Sequence, residues 1–128
     1  MIDIEKVVRD YLITVSALMT LTGGRIYAST HLPPSYKPDD GPALLFALRG
    51  GGQDYSSHVL VASLQFRSYA LTATLARQLD RELYSALNDV RTGQIKYARL
   101  ETPGQLLTEP ETGWYFALSF YRVLVGNP

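Results

Sequence analysis

The residues able to do chemistry in this sequence are few and scattered. His31 and His58 are the only imidazoles, and the 128 residues contain no cysteine. Thiolate catalysis, disulfides, iron–sulfur clusters and cysteine-bound zinc are therefore excluded. His31, Asp39 and Asp40 share a proline-rich stretch, with His58 beyond it. They have neither the i,i+4 helical spacing nor the regular acidic loop that would make a metal site. No metal and no cofactor are expected. Glu109 and Glu111 stand two apart around Pro110 on an expected turn, where ionised, solvated carboxylates are the default. No serine lies in a nucleophile-elbow context. Gly23-Gly24 and Gly50-Gly51-Gly52 lack both the spacing and the helix opening of a phosphate-cradling loop, and both read as turns. No catalytic set assembles, so the chain is not expected to be an enzyme.

The aromatic residues carry more information. Nine tyrosines stand against four phenylalanines and one tryptophan. Tyr36 and Tyr55 lie in Pro- and Gly-rich loops, where a ring and a hydroxyl together suit an interface. The closing segment adds a second hint. Trp114, Phe116, Leu118, Phe120 and Leu124 occupy one face, broken only by Arg122, while Tyr115, Ala117, Ser119, Tyr121, Val123 and Val125 occupy the other. A strand with one wet face alternates apolar with polar; this one is apolar on both. Either helices of the same chain cover both faces or a neighbouring subunit covers the second; two helices cover both with difficulty, so a subunit is expected there, and Tyr36, Tyr55, Tyr115, Tyr121 and Val123 are the candidate interface residues.

The elements that position them follow from periodicity. Ile4, Val7, Val8, Tyr11, Leu12, Val15, Leu18 and Met19 trace the apolar face of a helix over about 3–20, capped by Asp3 and stopped by Gly23-Gly24. A short strand at 25–28 precedes a loop over 29–42 with four prolines. The apolar run 43–48 and the alternating run 58–68 form an expected hairpin with a glycine-rich tip. Leu71, Leu75, Leu79, Leu83 and Leu87 return to helical spacing over 70–88, with Ser68 or Thr72 as cap. Strands at 95–102 and 114–125 close the chain. The order is α-β-β-β-α-β-β: one α+β domain over 1–128, a mainly antiparallel sheet of four to five strands with two amphipathic helices.

Charge narrows the partners. Twelve Lys+Arg balance twelve Asp+Glu, with no basic run to hold nucleic acid or an anionic membrane by bulk charge. No apolar stretch approaches a membrane span, and the acidic start lacks the pattern of a secretory signal. A cytoplasmic site of synthesis is expected.

The acidic amphipathic opening, Gly23-Gly24-Arg25-Ile26-Tyr27, the proline-rich loop, the strand Pro42-Ala43-Leu44-Leu45-Phe46, the Ala- and Leu-rich helix and the closing Trp114-Tyr115-Phe116-Ala117-Leu118 stand in an order that resembles the tail-completion, or tail-terminator, proteins of long-tailed bacteriophages. The resemblance spans essentially the full chain. It implies a structural virion protein that assembles into a homo-oligomeric ring, typically a hexamer, during virion assembly in the host cytoplasm. Such a ring sits at the head–tail junction, caps the tail tube, ends its polymerisation and joins it to the head–tail connector or stopper protein. DNA passes through the lumen without specific binding. The family has no catalytic residues to carry over. The rival from another class is a small dimeric α+β module binding an apolar ligand between sheet and helices.

Overall fold

Asp3 opens the first helix: its Oδ1 accepts from the Lys6 amide at 3.1 Å, satisfying one of the amides a helix start leaves without a partner. The structure, a computed structural model, describes residues 3–54, 59–110 and 112–126. Helix α1 runs Ile4–Leu12 and buries Ile4, Val8 and Leu12. The single helix expected over 3–20 breaks there, and α2 spans Ser16–Thr22. The break falls on Ile13-Thr14-Val15, three β-branched residues that lose rotamer freedom in a helix. The Thr14 hydroxyl also donates to the Tyr11 carbonyl at 2.6 Å, a local bond that competes with helical pairing. The apolar stripe continues across the break because both helices pack on one core, to which Leu18 also belongs. Helix α2 ends at Gly23, left-handed at φ 59°, whose amide closes on the Met19 carbonyl at 2.8 Å, as glycine C-caps do.

Five strands form one sheet: β1 (Ile26–Ala28), β2 (Ala43–Asp54), β3 (Val59–Ala70), β4 (Ile95–Thr108) and β5 (Tyr115–Gly126), in spatial order β1-β2-β3-β5-β4. Every pairing is antiparallel except β1 with β2, which is parallel. The α+β class stands; three helices replace the two expected, in the order α-α-β-β-β-α-β-β. The glycine triplet expected as a turn lies inside β2, where Gly50, Gly51 and Gly52 oppose Ser63, Ala62 and Val61. A bulge between Leu48 and Gly50 leaves Arg49 without a cross-strand partner. Helix α3 (Ala73–Leu87) is capped by Thr72, whose Oγ1 accepts from the Leu75 amide at 3.2 Å.

The helices cover one face of the sheet. Leu79, Leu83 and Leu87 of α3 meet Ala62, Leu64 and Phe66 of β3, Tyr121, Val123 and Val125 of β5 and Ala98 of β4 in one buried cluster. Each such fully buried large side chain contributes roughly 1.5–3 kcal/mol. The outer edge of β4 is closed by the chain itself. The Ala98 carbonyl accepts from the Asp89 amide at 2.7 Å and the Leu100 amide donates to Asn88 Oδ1 at 2.9 Å, while Pro103 has no amide to offer. Among the described residues no helix is long and apolar enough to cross a membrane.

Candidate interaction face

Strand alternation gives the sheet two faces, and the structure assigns them the opposite way from the sequence expectation. Tyr121 and Val123, expected to meet a neighbouring subunit, are core. They are 1% and 0% exposed in the same cluster as α3 of their own chain. The physical reason is register: Val123 lies beside Ala62 and Ala98, and Tyr121 beside Leu64 and Leu100, the row that α3 covers. The bulkier set led by Phe116 and Leu118 faces away from the helices and packs only partly. Tyr115, at the start of β5, is 37% exposed. Tyr55 and His58 lie outside the described residues.

The face away from the helices has two halves. At the β1 end the 29–42 loop folds over it. Tyr36, expected to be exposed, is buried with Ala43, Leu45, Tyr69 and Phe116. Its ring meets Trp114 edge-on at 5.8 Å, and its hydroxyl donates to the Gly41 carbonyl at 2.8 Å. Burial pushes the Tyr36 phenol up to about 12. It pins the loop to the sheet.

The other half is open and carries arginines. Gly50 opposes Ser63, Ser63 opposes Arg122, and Arg122 opposes Arg99. With Arg49 in the adjacent bulge, this makes one row of polar and basic residues across four strands, about 14 Å long at the usual inter-strand spacing. Ser63 donates to Glu101 Oε1 at 2.5 Å. The Arg49 guanidinium lies 4.1 Å above the Phe120 ring, and Arg67 lies 5.4 Å above Phe116. Arg99 and Arg122 share an open groove of about 480 Å³ with Val61, Tyr97, Leu100, Glu101 and Leu124. Among the described residues the one ion pair is Lys6–Asp10, on α1. The two opposed guanidiniums therefore repel each other at a cross-strand position, at a cost of a few tenths to about 1 kcal/mol. Arg122 breaking an apolar alternation was the sequence signal for this row; its other members are visible only through the register.

A second polar cluster sits under α3. Asp80 faces Ser119 and Tyr121 beside Pro103 and Gly104, around a cavity of about 350 Å³. Burial raises the Asp80 carboxyl, opposed in part by Ser119 and Arg81, and burial likewise raises the Tyr121 phenol. Gly104 is small for a reason: a side chain there would collide with the Asp80 carboxylate. His31, Asp39 and Asp40 are exposed, and among the described residues no three His, Asp or Glu side chains gather as metal ligands.

No family of known proteins matches the sequence, and no curated protein matches it. The fold is shared with a chain in the solved structure titled "Virion of native gene transfer agent (GTA) particle". That likeness covers 92% of this chain and 90% of the other, with a TM-score of 0.64 at 12% identity. At that identity the shared property is the fold.

Proposed function

We propose that this chain is a structural, non-enzymatic virion protein: the subunit of a ring, a hexamer in the simplest form, that caps a phage-like tail tube. The ring ends tube polymerisation and joins the tail to the head connector while DNA passes through. The observation that carries the reading is the end-to-end likeness of fold and length to a chain of a gene transfer agent virion. The sequence resemblance to tail terminators points the same way independently. Size is compatible: a compact 128-residue domain approximates a sphere about 36 Å across, and six of these leave an opening of similar width, enough for duplex DNA. At the centre of the helix–sheet layer Leu64, Phe66, Leu79, Leu83 and Val123 are all fully buried and leave no room for the apolar ligand of the rival reading; the cavity beside Asp80 lies at the edge of that layer.

The test is to image purified tail tubes assembled with and without the protein. Tubes of defined length bearing a ring at one end support the proposal. Tubes that keep growing and bear no added density remove it.

A further inference from the structure

The open half of the sheet has a counterpart at the opposite end of the same molecule. Ala43, Tyr69, Phe116 and Leu107 form the register row at the far end, about 20 Å along β5 from Arg122 at strand rise. Two loops with carboxylates flank it. The turn Pro38–Asp40 holds Asp39 and Asp40, both exposed. Glu109 follows β4, in the turn closed by its own amide on the Trp114 carbonyl at 2.9 Å. The cations at that end are Lys37, Arg25 and Arg67; Arg25 is tied back to the Pro42 carbonyl at 3.1 Å, and half-buried Arg67 lies over Phe116 and donates to the Tyr69 hydroxyl. At the other end Arg49, Arg91, Lys96, Arg99 and Arg122 stand against Asp89 and Glu101. A chain of zero net charge thus carries an excess of exposed cations at one end of its sheet and the exposed carboxylates Asp39 and Asp40 at the other.

We propose that the basic row around Arg99 and Arg122 receives the acidic loops at Asp39 and Glu109 of a second copy of this chain. The contact is head-to-tail, and a head-to-tail contact closes into a ring when its rotation permits. The inference rests on the ring reading and names the surfaces that meet. Three observations favour a protein over a nucleic acid as occupant. The floor of the groove is apolar, with Val61 and Leu124, and suits a side chain better than a sugar–phosphate backbone. Arg49 and Arg91 lie over Phe120 and Tyr97, held down as flat contact surface rather than extended toward phosphates. Aromatic and arginine side chains of that kind dominate protein interfaces. The complementary carboxylates are also present on the chain itself.

The test uses two charge-reversed proteins and their mixture, with assembly followed by sedimentation velocity at low and high salt. One variant carries Arg99→Glu with Arg122→Glu; the other carries Asp39→Lys with Glu109→Lys. Each alone should need about tenfold or more protein to assemble at low salt, because like charges then meet at the contact. An equimolar mixture should regain wild-type assembly, since either kind of neighbour contact in an alternating ring is then complementary. Asp39→Lys alone, at a side chain without a turn bond, repeats the acidic arm if Glu109→Lys loosens its loop, and melting curves confirm that every variant is folded. Assembly indifferent to both reversals, or a mixture no better than its components, overturns the proposal and leaves the ring reading intact. Salt-steep binding of a labelled duplex that is lost with the two arginines, beside wild-type assembly of the acidic-end variant, makes the row a nucleic-acid site and also overturns it. A wild-type protein that stays monomeric at every concentration and caps no tubes removes both readings together.

Discussion

Replacing Val123 by aspartate separates the two faces of β5 most sharply. Val123 is fully buried between Ala62 and Ala98, in the cluster that α3 closes. Losing a buried valine costs about 1.5–3 kcal/mol. The new carboxyl has no donor in that cluster, and its cheapest route into the core is to take up a proton. At neutral pH that costs about 4 kcal/mol from the ordinary aspartate value. The total, about 6 kcal/mol, approaches or exceeds the stability of a typical domain, roughly 5–15 kcal/mol. Val123→Asp should therefore be unfolded or barely folded at 25 °C. Leu118→Asp lies on the other face, half-buried at the margin of the Tyr36 cluster, where the carboxylate can reach water; it should lose about 1–2 kcal/mol and stay folded. Circular dichroism with urea titration reads both. A folded Val123→Asp protein beside an unfolded Leu118→Asp protein would refute the face assignment.

Other outcomes follow from the same structure. Asp80 has a raised carboxyl pKa, so the native state binds that proton more tightly than the unfolded chain, and stability falls as pH rises through the native value. Asp80→Asn should therefore raise the melting temperature at pH 7, with the gain fading as pH falls toward 3.8, the ordinary carboxyl value; equal gain at both pH values would contradict it. Gly104→Ala should cost about 1–3 kcal/mol by overpacking against the Asp80 carboxylate, and Asp80→Ala in the same chain should recover most of it; additive losses in a double-mutant cycle would show the two do not touch. Tyr36→Phe removes the bond to the Gly41 carbonyl and should cost about 1 kcal/mol, with faster proteinase K cleavage within the 29–42 loop; an unchanged cleavage rate would mean the loop is held by other contacts.

Where each strand and helix runs was largely written in periodicity, because alternation and the 3.6-residue repeat are local. Four features were not, the first being that β4, expected to end at 102, runs on through Pro103-Gly104 to Thr108 because pairing with β5 continues past them. The first helix kept its apolar spacing through Ile13–Val15, so only the backbone preference of the β-branched run reported the break. Gly50–Gly52 carry turn-forming residues but are held as a strand by pairing with β3, a tertiary effect on residues with weak preferences of their own. The two faces of β5 are both apolar, and period two cannot say which is inward; the row with Leu64 and Ala62 decides it, and that row is a register. The candidate site was hidden for the same reason. Arg49, Arg99 and Arg122 are far apart in sequence and form no basic run, yet three strand pairings set them side by side.

The strand order has a consequence for biosynthesis. Of these five strands β5 is made after the other four, yet it is not an edge: it lies between β3 and β4 and supplies Tyr121, Val123 and Val125 to the central cluster. Until about residue 126 has cleared the ribosome, β3 and β4 have no common neighbour and α3 has half a surface to rest on. A nascent chain can close the β2–β3 hairpin during translation, but the domain as a whole completes only once β5 enters the gap left open between β3 and β4. Arrest within β5 would leave two long unpaired strand edges exposed at once, which makes late-stalled chains of this protein natural substrates for chaperones and proteases.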